Sequence, residues 1–189
     1  MENKELQDLL EGIINAKRVY RDKAANAILA HQELLSDLVD KTFDIEDPLH
    51  IRAAWVLELV CIQDCSLLND HIDKFIKGMS RLNHESALRP VSKICWLWSK
   101  YYFSTFFKKN KLNESAVEQI ISCNFNWLIE EHKVATQVYA MDSLYLWGQG
   151  ENWILEELKS ILEQHTNSGT SGYRAHARKL LKNLSINDV

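Results

Sequence analysis

Proline and glycine are scarce, two and six in 189 residues. An all-β chain needs a turn-forming residue at every about eight to twelve positions, so this supply excludes one. Long apolar runs are missing too. The most apolar stretch, Trp55 to Ile62, is interrupted by Glu58, and no segment approaches the about 18 apolar residues of a membrane-spanning helix. The opening MENKELQDLLEG is acidic and amphipathic and has no apolar leader core, so no secretory segment and no membrane partner are expected. The four cysteines, Cys61, Cys65, Cys95 and Cys123, form no CxxC, and no HxxxH occurs, which leaves metal spacing unmet. Neither a GxSxG elbow nor a Gly-rich phosphate loop is present. A basic surplus is absent as well. The net charge of −4 argues against a dedicated duplex binder, which is usually basic. Thiols without a leader fit a reduced, cytoplasmic protein.

What the chain does contain is helical period. At 189 residues the chain is long enough to bury a core without disulfides or metal, and its 46% of apolar residues is ordinary for a globular protein. Leu6, Leu9, Leu10, Ile13 and Ile14 repeat at i, i+3, i+4, i+7, i+8 and predict a first helix. Ala24, Ala27 and Ile28, then Leu34, Leu35, Leu38 and Val39, predict two more. Asp47–Pro48 opens a helix to Gln63 that is apolar nearly all round and therefore buried. An amphipathic helix carrying Leu67, Leu68, Ile72, Phe75 and Ile76 follows, then an apolar one from about Ser86 to Phe107 whose first turn Pro90 should limit or bend. Asn113 is a cap for the next, Val134 to Trp147 is apolar and closed by Gly148 and Gly150, Trp153 to Gln164 is amphipathic, and a basic helix, Tyr173 to Leu184, ends the series.

Amphipathic and apolar helices thus alternate, about ten in all. A basic residue recurs at the start of the apolar partner: Arg52, Arg89, Lys133 and Arg174, at intervals of 37, 44 and 41 residues. One further step back falls near Arg18 or Arg21. Such spacing matches helix-pair repeats of roughly 40 to 47 residues, the HEAT and armadillo arrays. A single pair cannot bury both apolar faces, whereas stacking does. The expectation is an all-α, α–α superhelix (a HEAT/ARM-like solenoid) of about four to five helix pairs. It forms one domain over 1–189, with 1–47 an irregular repeat or cap, 48–184 the repeats and 185–189 a tail.

The stretches RAAWVLELVC (52–61), ALRPVSKICWL (87–97), FNWLIEEHKVATQVYAMDSLYLWG (125–148) and YRAHARKLLKNL (173–184) resemble a family of small bacterial HEAT-like helical-repeat proteins, over most of the chain beyond about Leu34. Members of that family often carry the label adenylosuccinate lyase. The resemblance implies stacked helix pairs and, through that label, β-elimination of fumarate from adenylosuccinate with His and Ser as acid and base. Adenylosuccinate lyases use a mobile Ser-containing loop with a Met-Pro-Lys signature. The comparable loop here, Gly169–Thr170–Ser171–Gly172, has none of these three residues. No catalytic residue, cofactor or metal ligand is assigned.

The candidate binding face is therefore Arg52, Arg89, Lys133 and Arg174, with Arg178 one turn on. These cations either line up to hold an acidic segment or phosphates, or pair with carboxylates such as Glu58 of a neighbouring repeat. Lys100, Lys108, Lys109 and Lys111 interleave with Tyr101, Tyr102, Phe103, Phe106 and Phe107, which suits base stacking or, more simply, a helix C-terminus over a core. His176, Lys179 and Lys182 extend the basic terminal helix, as an electropositive edge or a polar cap. Of six tryptophans most are assigned to the core, with Trp98 or Trp153 the candidates for exposure. The leading expectation is a scaffold that binds an extended protein or peptide segment. The alternatives are a nucleic-acid binder, including one like the HEAT-repeat alkylpurine DNA glycosylases, and the lyase.

Overall fold

The computed structural model describes residues 3–106, 111–165 and 169–187. Among these, the chain is all-helical: α1 (Lys4–Glu11), α2 (Arg18–Ala30), α3 (Leu35–Thr42), α4 (His50–Gln63), α5 (Ile72–Met79), α6 (Glu85–Tyr101), α7 (Glu114–Ile129), α8 (Val134–Trp147), α9 (Asn152–His165) and α10 (Ser171–Asn187). No helix among the described residues is long and apolar enough to cross a membrane. The helices fall into two compact units, Met1–Tyr101 and Tyr102–Val189.

In the first unit α4 is the hub. It packs against α2, α3 and α6, which is why Ala53, Ala54, Val56, Leu57, Leu59 and Val60 are all buried on a helix with almost no polar side. Each fully buried Leu or Val there contributes about 1.5–3 kcal/mol. Helices α2 and α6 both pack on α4 (the α2/α4/α6 layer), while α3 also packs on α4 and touches α5. The close approach of α5 requires a glycine. A Cβ at Gly78 would lie 2.2 Å from the ring of Phe43, which packs edge-on against Phe75 at 5.6 Å.

Several boundaries differ from the periodic reading, among them the start of α4, at His50 and not Pro48. The first helix stops at Glu11, because Gly12 ends it; Ile13 is buried in the following turn, but Ile14 is 67% exposed. Leu67 and Leu68 belong to a 3₁₀ segment, Cys65–His71, started by the Asp64 carboxylate accepting the Ser66 N–H; the α-helix begins only at Ile72.

Pro90 does not break α6. A proline there leaves the carbonyl four residues back, that of Ser86, without its helical donor. The indole N–H of Trp55, reaching over from α4, donates to that carbonyl at 2.9 Å. The helix therefore runs through Pro90 to Tyr101, and a π-turn spans Tyr102–Phe106 in place of the expected α-helical end.

In the second unit α8 packs against α7, α9 and α10, and α9 against α10. Asn113 caps α7 as expected, accepting the Ala116 N–H at 2.8 Å. Gln137 of α8 donates to the terminal carbonyls of Leu128 and Glu130, closing the other end of α7. Tyr102 stacks on Trp147 at 5.2 Å, and Phe103 meets the same indole edge-on. Gly148 closes α8 in right-handed geometry, and a Cβ on it would lie 2.3 Å from Leu155.

Candidate functional site

The α2/α4/α6 layer of the first unit carries a set of cations and tryptophans linked across helices. On α6, Arg89, Lys93, Trp96 and Lys100 are spaced i, i+4, i+7, i+11, one stripe of a helix. On α4, Arg52 and Trp55 are three apart and also share a stripe. Cross-helix contacts join the stripes. The Arg21 guanidinium of α2 sits 5.8 Å from the centre of the Trp55 ring, Trp55 bonds to Ser86 of α6, and Glu58 of α4 bonds to Arg89 and Lys93.

Glu58 is the electrostatic centre. It is 3% exposed. Arg89 grips it with both terminal nitrogens, at 3.4 and 3.0 Å, and the Lys93 ammonium adds a contact of 3.0 Å. A buried carboxylate needs this, since desolvating it without partners is costly. Two cations share one carboxylate, so one positive charge is left over at the surface.

Three further cations of the layer are held by groups other than carboxylates. Arg52 donates to the carbonyls of Leu10 and Glu11, at 3.3 and 3.4 Å, at the C-terminus of α1, where a cation meets the negative end of the helix dipole. Lys100 holds its ammonium 4.8 Å from the Trp96 ring centre, a cation–π geometry. Among the described residues neither these two nor Arg21 meets a carboxylate, and the buried Nε of Arg21 has no acceptor. Arg21, Trp55, Arg89, Lys93 and Trp96 are half-buried and Lys100 is exposed, so the set is fixed in place yet reachable.

Of the cations expected on the binding face, Arg52 and Arg89 lie on this layer, and Arg89 makes the ion pair with Glu58 that was the simpler expectation for it. Lys133, Arg174 and Arg178 belong to the second unit. Lys133 is exposed just before α8 and its carbonyl accepts the first backbone bonds of that helix. Arg174 is half-buried in the first turn of α10, with Arg178 exposed one turn on. Nearby, His176 is 2.7 Å from the Asp142 carboxylate and ties α10 to α8.

Lys108 and Lys109 lie outside the described residues, as does Phe107, and of the same stretch Tyr102 is core while Lys111 is exposed. Trp98 is buried and donates to Asn69; Trp153 is the exposed tryptophan, at 52%. Residues Thr170 and Ser171 of the loop compared with the lyases form the start of α10, with the Thr170 hydroxyl accepting the Tyr173 N–H. Cys61 is buried. The Cys65 thiol beside it, then burial, push its pKa well up, which makes it inert as a nucleophile. All four cysteines are free, and no cluster of three or more His, Cys, Asp or Glu placed to hold a metal occurs among the described residues.

Periodicity assigns Trp55 and Trp96 to the core, and the repeat interval that marks Arg89 does not mark Lys93. The i, i+4, i+7, i+11 spacing on α6 was the available signal. The chain matches no family model, no curated protein and no solved structure.

Proposed function

We propose that the chain is an α–α superhelix of the HEAT/armadillo kind and works as a binding scaffold in the cytoplasm, holding an acidic segment of a protein partner on the basic, aromatic surface of the α2/α4/α6 layer. One observation carries this reading: Arg21, Arg52 and Lys100 meet no carboxylate among the described residues, while Arg89 and Lys93 share one. A chain of net charge −4 that keeps so many cations unpaired on one layer has a local field suited to an anionic partner. The layering of α2, α4 and α6 supports the repeat architecture, since successive inner helices stack in such arrays. Arg52, Arg89, Lys93 and Lys100 would hold carboxylates, and the Trp55 and Trp96 rings would pack apolar side chains between them.

A second reading is single-stranded nucleic acid. The pairing of a cation with each tryptophan favours it, because stacking rings and backbone-holding cations are the parts such sites use. Carboxylates spread along a chain suit these few cations better than the denser phosphate charge of a nucleic acid, which ranks the protein partner first.

Fluorescence anisotropy with labelled poly-L-glutamate and labelled single-stranded DNA separates the two. The scaffold reading expects the polypeptide to bind more tightly, and the double change Trp96→Ala with Lys100→Glu to weaken it about tenfold. Tighter DNA binding that falls steeply with salt would give the second reading its place. No binding of either, or a variant equal to the parent, would remove the surface from consideration.

A further inference from the structure

The second unit presents an aromatic shelf of the opposite electrostatic character. Trp153, the second residue of α9, is 52% exposed and stacks on Phe125 of α7 at 6.1 Å and 27°. The pair lines an open groove of about 470 Å³ together with Glu118, Ile121, Ser122 and Asn126. Ile129, one turn beyond Phe125 on α7, is 54% exposed and continues the apolar surface. A buried tryptophan would be ordinary core. One left half in water beside two further apolar side chains is a feature of interaction surfaces.

The charge around the shelf is negative. Glu118 lines the groove and has no hydrogen-bond or ion-pair partner among the described residues. Glu114 lies one turn before it on α7, and Glu157 lies one turn after Trp153 on α9; both are exposed. Asn152 orients Glu156 with a bond of 2.7 Å at the same end of α9. An exposed indole face beside an unpaired carboxylate is a two-point receptor for a cation: the ring attracts it through its quadrupole and the carboxylate through its charge.

We propose that this groove docks a basic segment of a protein partner, with an arginine or lysine laid over Trp153 and paired to Glu118, and a neighbouring aliphatic or aromatic side chain against Phe125 and Ile129. The charge complementarity selects the occupant, since an acidic or phosphate-bearing ligand would meet Glu114, Glu118, Glu156 and Glu157 with like charge. This surface is independent of the basic layer in the first unit, so either can fail without the other.

The test is selection of a random-peptide display library on the full chain, followed by affinity measurement of the selected peptides. Selected sequences are expected to pair Arg or Lys with a large apolar residue. Their affinity is expected to fall about tenfold in Trp153→Ala, a change at an exposed side chain, and several-fold in Glu118→Gln, with the helical circular dichroism unchanged. Acidic or neutral selected sequences, no enrichment, or equal binding by Trp153→Ala would overturn the proposal. So would concentration-dependent self-association in sedimentation that Trp153→Ala abolishes, because the groove would then belong to a second copy of the chain.

Discussion

Replacing Trp55 by phenylalanine keeps a ring beneath Arg21 but removes the donor that the Ser86 carbonyl depends on once Pro90 has taken away the helical one. A carbonyl left without a partner costs about 1–3 kcal/mol. Trp55→Phe is therefore expected to lower the stability by about that much in urea titration, and Pro90→Ala, which restores the backbone donor, to recover part of it. Glu58 gives a second contest at this scale. Removing one partner of a buried ion pair costs about 3–5 kcal/mol when the charge is stranded. Lys93 still holds Glu58 after Arg89→Ala, so the expected loss is about 2–3 kcal/mol on that scale. Lys93→Ala, which leaves both Arg89 contacts, is expected to cost about 1 kcal/mol. Equal losses for the two would show that Arg89 and Lys93 hold Glu58 with equal strength.

At the scale of the elements, the start of α4 is set by charge. The Asp47 carboxylate accepts the Leu49 N–H at 2.8 Å and pairs with Lys41 at 2.8 Å. The Lys41 bond, with help from Leu49, holds the Asp47 carboxyl below its usual pKa. A carboxyl depressed on folding adds stability at pH values above its unfolded pKa, near 4. That stability disappears as pH falls through the folded value. Asp47→Asn is thus expected to unfold at lower urea than the parent at pH 7, with the gap closing below about pH 4.

The elements were also what the sequence showed most clearly. Helical period alone located α4, α7, α8 and α9, and the Asn113 cap was legible because a side-chain acceptor before an apolar period has one common use. The 3₁₀ turn at Cys65–His71 and the end of α1 were not, because they depend on local hydrogen bonds that apolar spacing does not encode. The site was legible only in part. Arg52 and Arg89 stood out by their interval, but Trp55 and Trp96 look like core residues until the helices beside them are placed. The deciding facts, that Arg21 lies over one ring and that Glu58 is shared, join residues more than 30 positions apart.

For the molecule as a whole, the two surfaces carry opposite charge: basic and aromatic on the α2/α4/α6 layer, acidic and aromatic around Trp153. A net charge of −4 conceals this, because it averages over both. The lesson for function is that local pairing, not total charge, decides which partner a surface accepts. The most direct measurement is capture from nuclease-treated native lysate with the tagged full chain and with the Trp96→Ala, Lys100→Glu variant, read by quantitative mass spectrometry. A scaffold for acidic segments retains a reproducible partner with an acidic stretch after nuclease, and the variant loses it. Recovery that disappears with nuclease, or that is the same for parent and variant, would contradict it.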